Sequence, residues 1–240
     1  TVTRVCLDHL KSARRRREQY VGPWLPEPDP GEVDMTTPSE KMEDISFALM
    51  MVLEQLSPPE RAAFLLHDVF DRSYGEVAEI LERSEVSCRQ LASRARRSVR
   101  TSAPPRQRDP QAHHELLQGF AAAVASGDMT SLEQMLARDV IAYSDGGGVR
   151  IAALKPIYGS DKVARFFLGI MQKSRAAGVE VTMEPAVING DPAMLVFLDG
   201  ELDETVGIDC TDGRITAIYL VRNPDKLGAV ERWHQARAAG

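Results

Sequence analysis

The sequence predicts a multidomain chain: an all-α unit built around a helix-turn-helix, then an α+β unit with a curved sheet. Three observations carry this. Apolar residues recur at helical spacing in four stretches between Lys41 and Arg100. The segment Thr101–Pro110, with Ala103-Pro104-Pro105 and Asp109-Pro110, ends that pattern. Beyond it, two helical stretches give way to apolar strands punctuated by Asp145-Gly146-Gly147-Gly148, Asn189-Gly190-Asp191-Pro192 and Asp212-Gly213. These are turn signals, and helices followed by hairpin strands make the α+β pattern.

Residues 1–20 read as the end of a helix, with Val2, Val5, Cys6, Leu10 and Ala13 on one side and the basic run Arg14–Arg17 after them. From Val21 to Pro38 the prolines at 23, 26, 28, 30 and 38 forbid regular structure, so this is an extended linker. A floppy spacer would be rich in Gly and Ser. This one carries Tyr20, Trp24 and Leu25, large groups that prefer burial, so it is expected to dock on something.

The first of the four helices, Lys41–Leu56, repeats Met42, Ile45, Leu49, Val52, Leu53 and Leu56. Ser57-Pro58-Pro59-Glu60 is a start signal, with Ser as N-cap, Pro in the first turn and Glu reaching back. That helix is expected to run to about Phe70. Ser73 and Glu76 repeat the capping logic for a short helix with Tyr74, Val77, Ala78 and Leu81 on one face. After the turn Glu82–Ser84, a last helix runs to about Arg100 on an apolar face of Cys88, Leu91, Ala92, Ala95 and Val99. In the second unit, helices are expected at about 111–126, 130–137 and 161–176. The unit boundaries are therefore 39–102 and 111–240, joined by 103–110.

Composition excludes several classes. At 240 residues, 43% hydrophobic and 27% charged, the chain resembles an ordinary globular protein. No apolar run has the length of a membrane span, so no membrane partner is expected. Cys6, Cys88 and Cys210 are odd in number and scattered, which argues against a disulfide framework and fits a reducing, cytoplasmic setting. His9, His67, His113, His114 and His234 have no metal-ligand spacing with them, so no metal site is expected. The chain opens on Thr1, and an upstream portion is expected before it.

The net charge of −6 hides an uneven distribution. Residues 1–20 hold six Lys/Arg against Asp8 and Glu18, and residues 27–44 hold seven carboxylates against Lys41. Residues 85–100 carry Arg89, Arg94, Arg96, Arg97 and Arg100 against Glu85 alone. Basic blocks on an acidic chain fit local nucleic-acid contacts, although any single block also fits a solvated helix face. Opposite the apolar face of the last helix lie Ser87, Gln90, Arg94 and Arg97, flanked by Arg89, Ser93 and Arg96. A groove-reading helix needs short polar groups and Gln for base edges, then Arg for phosphates.

The run Leu56 to Phe70 (LSPPERAAFLLHDVF), Ser73 to Leu81 (SYGEVAEIL) and Arg89 to Arg96 (RQLASRAR) resembles region 4 of extracytoplasmic-function sigma factors. The resemblance implies contact with the −35 promoter element and with the flap of the RNA polymerase β subunit. It places Ser87, Arg89, Gln90, Ser93, Arg94 and Arg97 at or near DNA, with Arg96 in the same run. Cys88 stands where that family often has a branched apolar residue.

Tyr20 to Pro28 (YVGPWLPEP), Asp145-Gly146-Gly147-Gly148 and Asn223-Pro224-Asp225-Lys226-Leu227 are similar to signatures of a subgroup with a SnoaL-like C-terminal extension. The resemblance implies a cone-shaped, nuclear transport factor two-like fold at 111–240. It also implies a regulatory role for Trp24, Leu25, Pro26, Asp145 with Gly146, Gly147 and Gly148, and the Asn223, Pro224, Asp225 and Lys226 turn. Nearly all of region 2 is missing, so this chain is not expected to initiate transcription by itself.

Bland readings stand beside these. A tight hairpin needing positive φ accounts for three glycines. Asp145 fits a brace for that turn, and Asn223–Lys226 fits an exit turn before a last helix with Asp225 as its first-turn acid.

The implied fold often encloses an apolar pocket, with room for a small-molecule ligand. Carbanion chemistry there would need a buried carboxylate from Asp145, Glu184, Asp199, Asp203 or Asp209, and a donor from Tyr143, Tyr158 or Tyr219. Fold does not carry function, so no catalytic residue and no cofactor are assigned. The rival functions are a one-component repressor, which would bind a palindrome as a dimer, and a SnoaL-like isomerase or cyclase.

Overall fold

The computed structural model describes residues 20–30, 47–102 and 110–238. The helix expected at the start of the chain, the linker beyond residue 30 and most of the 103–110 connection lie outside these. The described residues form two units, 47–102 and 20–30 with 110–238.

The first unit holds α1 (Phe47–Gln55), α2 (Pro58–Phe64), α3 (Tyr74–Leu81) and α4 (Glu85–Ser102). Both capping boxes form: Glu60 accepts from the Ser57 backbone N–H and Glu76 from that of Ser73. The helix expected to reach Phe70 does so with a change of pitch, because Leu65–Val69 widens into a π turn closed by Phe70 N–H on Leu65 O. Glu82, at φ +53°, ends α3, and the Ser84 hydroxyl accepts from Ser87 N–H to begin α4. The apolar faces meet in two clusters. Ala63, Val77, Leu81, Cys88, Leu91 and Ala92 lie in one, and Leu53, Leu56, Phe64 and Ala95 in the other. Cys88 is fully buried, so its thiol fills a packing position.

The second unit wraps a six-stranded sheet, β1 (Leu136–Asp145), β2 (Ile157–Tyr158), β3 (Val181–Ile188), β4 (Asp191–Leu198), β5 (Glu201–Thr211) and β6 (Arg214–Val221), in the order β2-β1-β6-β5-β4-β3. All neighbours are antiparallel except β1 and β6. Asn189-Gly190 and Asp212-Gly213 both take positive φ, as two-residue hairpin turns require. Asp199-Gly200 makes a third such turn at a dipeptide of the same chemistry that the sequence reading passed over. Irregular pairing in β1, β4 and β5 bends the sheet.

Helices α5 (Pro110–Ser126), α6 (Met129–Met135) and α7 (Ser160–Ala176) fill one face of the sheet around Leu117, Phe120, Val163 and Phe167. On the other face α8 (Pro224–Ala238) sets Val230 against Ile188, Leu195 and Phe197. This is the α+β unit with a curved sheet that the sequence predicts.

Candidate functional site

The second unit holds a buried polar site at the end of β1. Asp145 is 0% exposed, and each of its carboxylate oxygens accepts two hydrogen bonds. Oδ1 takes the Tyr20 hydroxyl at 2.5 Å and Gly147 N–H at 3.0 Å. Oδ2 takes Leu25 N–H at 2.8 Å and the Lys226 ammonium at 2.7 Å. Lys226 also donates to Leu25 O at 2.5 Å and lies 3.9 Å from the centre of the Trp24 ring. A buried carboxylate is tolerable only when paired and saturated with donors, and Tyr20, Leu25, Gly147 and Lys226 together do both.

The linker supplies half of this latch. Leu25 is 0% exposed and Pro26 is buried, so the segment that sequence marked for docking is seated on its own unit. Its far end is pinned by a reciprocal pair, Asp29 N–H to Asn189 Oδ1 and Asn189 N–H to Asp29 O. Burial raises the pKa of Tyr20 well above the ordinary phenol value, and its hydrogen bond to Asp145 and that residue's charge raise it further.

The glycine run differs from the expected hairpin. β1 leaves the sheet at Asp145, and its antiparallel partner β2 begins only at Ile157. Only Gly147 and Gly148 have positive φ. Gly146 is required instead by close approach, since a Cβ there would lie 2.3 Å from Arg150 O. At Gly147 a Cβ would meet the Asn223 side chain at 2.4 Å. Asn223 in turn donates to the Tyr20 hydroxyl and accepts from Asp225 N–H at the start of α8. Both bland readings hold in part: Asp145 braces the glycine turn, and Asn223 caps α8. Pro224 and Asp225 are exposed, outside the buried cluster.

Sequence reasoning missed Tyr20 as a site residue, although its place at the head of the linker signature was visible. It also missed Arg222 and Glu204. Arg222 makes two bonds to Asp203 Oδ2, at 2.6 and 2.9 Å, and donates to Ile151 O; Glu204 lies 3.3 Å away. A bulge hides this cluster from pattern reading: Glu204 faces Val196 while Leu202 faces Phe197, leaving Asp203 as the extra residue. Of the other candidate carboxylates, Asp209 accepts from Tyr219, Glu184 pairs with His234, and Asp199 accepts from Glu180 N–H.

In the first unit, α4 presents Arg89, Gln90, Ser93, Arg94 and Arg97 to solvent, with Ser87 half-buried. Arg89 pairs with Glu85, and Arg94 with Glu60. Arg96 is turned inward: it bonds Asp68 at 2.6 Å and the Tyr74 hydroxyl at 2.8 Å, bracing α4 against α3 and the π turn. Among the described residues, no group of three or more His, Cys, Asp or Glu is placed to hold a metal ion, and no helix is long and apolar enough to cross a membrane.

Residues 46–99 match the family described as sigma-70, region 4. The chain is 40% identical to the extracytoplasmic-function RNA polymerase sigma factor SigJ of Mycobacterium tuberculosis, over 94% of its own length and 76% of that protein. A probable extracytoplasmic-function sigma factor of the same organism, SigI, is 31% identical over 94% of this chain and 75% of its own length. The crystal structure of the Mycobacterium tuberculosis SigJ superposes with a TM-score of 0.70 at 35% identity, covering 93% of this chain and 78% of that one. The chain belongs to the extracytoplasmic-function family of RNA polymerase sigma factors, which are transcription initiation factors and not enzymes.

Proposed function

We propose that the first unit directs RNA polymerase to the −35 promoter element while engaging the β flap, and that the second unit sets its activity through the linker. On α4, Gln90, Ser93 and Ser87 address base edges, and Arg89, Arg94 and Arg97 address phosphates. Glu85 and Glu60 hold two of those guanidiniums in the absence of DNA, an exposed pairing that phosphates readily replace. Arg96 acts as the brace that orients the helix.

The observation that carries the regulatory part is the latch. A segment leading to the helix-turn-helix is held by a buried ion pair, Asp145–Lys226, in the other unit. Holding residues 20–29 attaches the chain ahead of the helix-turn-helix to the second unit, in addition to the direct connection after it, and so favours some arrangements of the factor over others. Releasing it requires breaking a saturated buried carboxylate site, which gives the segment two discrete states.

The test is binding of the full chain, with and without Asp145→Asn, to the isolated β flap and to a −35 duplex. Changed affinity for either partner, with the first unit folded, supports regulation through the latch. Unchanged affinity for both leaves the second unit without this role. Failure of both proteins to bind the flap favours the one-component repressor.

A further inference from the structure

The interior of the second unit contains a cavity of about 80 Å³ between α5, α7 and the sheet. That volume is ample for several water molecules or a short alkyl chain. Its walls are apolar, with Phe120, Phe167 and Val196 among them. Ala121, Met171, Met183 and Met194 line both this cavity and an outer groove, so the way in passes between flexible thioethers. Its polar end is made by Asp203, Glu204 and Arg222 alone among the charged lining residues.

With Glu204 ionised, the charges at that end do not cancel. Asp203 takes two bonds from the Arg222 guanidinium and neutralises it. Glu204 shares the same guanidinium at 3.3 Å with 13% of its side chain exposed, leaving a second carboxylate and one available positive charge already committed. We propose that this cavity binds a small apolar amine, its ammonium paired with Glu204 and its alkyl part among the methionines, with occupancy relayed to the latch through Arg222. An anion of the same shape would meet two carboxylates, and a neutral alcohol would leave the surplus charge unpaired.

Arg222 is placed to act as the relay. Its backbone N–H donates to Asp145 O, its side chain to Ile151 O in the loop after the glycines, and its neighbour Asn223 contacts both Tyr20 and Gly147. An ammonium that pulls Glu204 away from Arg222 changes the partners of a residue bonded to the Asp145 backbone and to the loop after the glycines, and adjacent in sequence to Asn223, which donates to Tyr20. Desolvation pushes the Glu204 carboxyl up to about 7, with Arg222 lowering and Asp203 raising it. α5, α7, β3 and β4 contribute no titratable group to the lining. Amine binding therefore strengthens as pH rises through about 7.

Resting on the regulatory reading of the second unit, this is tested by binding alone, so its failure leaves the flap and promoter assays untouched. The full chain is titrated at pH 8 with n-butylamine, n-butanol and butyrate, following methyl and amide resonances. The expected result is saturable binding of the amine at the Met171 and Met183 methyls, weakened about tenfold or more by Glu204→Gln and by lowering the pH to 5.5. The Leu25 amide should also change its exchange rate on binding. Equal binding of all three probes, or an unchanged affinity in Glu204→Gln, overturns the amine assignment. Amine binding with no change at Leu25 overturns the relay.

Discussion

Replacing Asp145 with Asn removes one negative charge from the latch and leaves its shape intact. The carboxylate meets four donors, two on each oxygen. Whichever way the amide is turned, its NH₂ faces two groups that had donated to oxygen. Turned toward Oδ2 it confronts Leu25 N–H and the Lys226 ammonium. Turned toward Oδ1 it confronts Tyr20 and Gly147, of which only the hydroxyl can rotate to accept. Breaking a buried ion pair by neutralising one partner costs about 3–5 kcal/mol. Lys226 keeps Leu25 O and the Trp24 ring, so the lower end of that range, about 3 kcal/mol, is expected.

At about 2–4 °C per kcal/mol, the calorimetric transition of the second unit should fall by about 6–12 °C. Hydrogen exchange at the Leu25 amide should accelerate before global unfolding, because its acceptor is the altered group. Lys226→Met removes the stranded cation, so the double variant should be less destabilised than the sum of the two single changes. Additivity within about 0.5 kcal/mol, or an Asp145→Asn protein as stable as the parent, would refute the latch as an energetic unit.

Three further outcomes follow from the same geometry. Gly147→Ala should lose about 2–4 kcal/mol in urea unfolding, from left-handed strain at φ +63° and displacement of the Asn223 cap. Gly190→Ala, with open space around it, should lose only about 1 kcal/mol, and equal losses would sink the close-approach argument. For DNA, Arg97→Ala should reduce the slope of log affinity against log salt by about 0.9, whereas Arg96→Ala should lower the melting point of the first unit. A variant at Arg96 with parental stability would mean that it is not a brace. Glu204, raised from 4.5 to about 7, binds more protons folded than unfolded between those values. Stability should therefore fall, by about 3 kcal/mol, as pH rises from 4.5 through 7. Glu204→Gln should flatten that dependence, and an identical pH profile in the variant would refute the assignment.

The local structure was legible in the sequence because local interactions specify it. Ser57 with Glu60 and Ser73 with Glu76 start helices wherever they are placed, since the cap closes within one turn. Asn189-Gly190 and Asp212-Gly213 make hairpins because few other dipeptides take two positive φ angles cheaply. The same locality showed the amphipathic face of α4 and the incompatibility of the linker with regular structure. Resemblance to a known family then supplied the nature of both units.

What only the tertiary structure decided are the pairings between distant residues. Tyr20 and Lys226 meet on Asp145 because β1 ends where the linker crosses the start of α8, a coincidence of topology that no spacing encodes. Gly146 is small because of Arg150 and Gly147 because of Asn223, one a neighbour across the turn and the other far along the chain. Arg96 and Arg97 are adjacent in sequence, yet the α4 geometry turns the first to Asp68 and leaves the second exposed. The bulge at Asp203 breaks the twofold alternation of β5 and brings both carboxylates to Arg222. A period-two reading assigns side chains to faces by counting, and one extra residue in a strand is enough to defeat it.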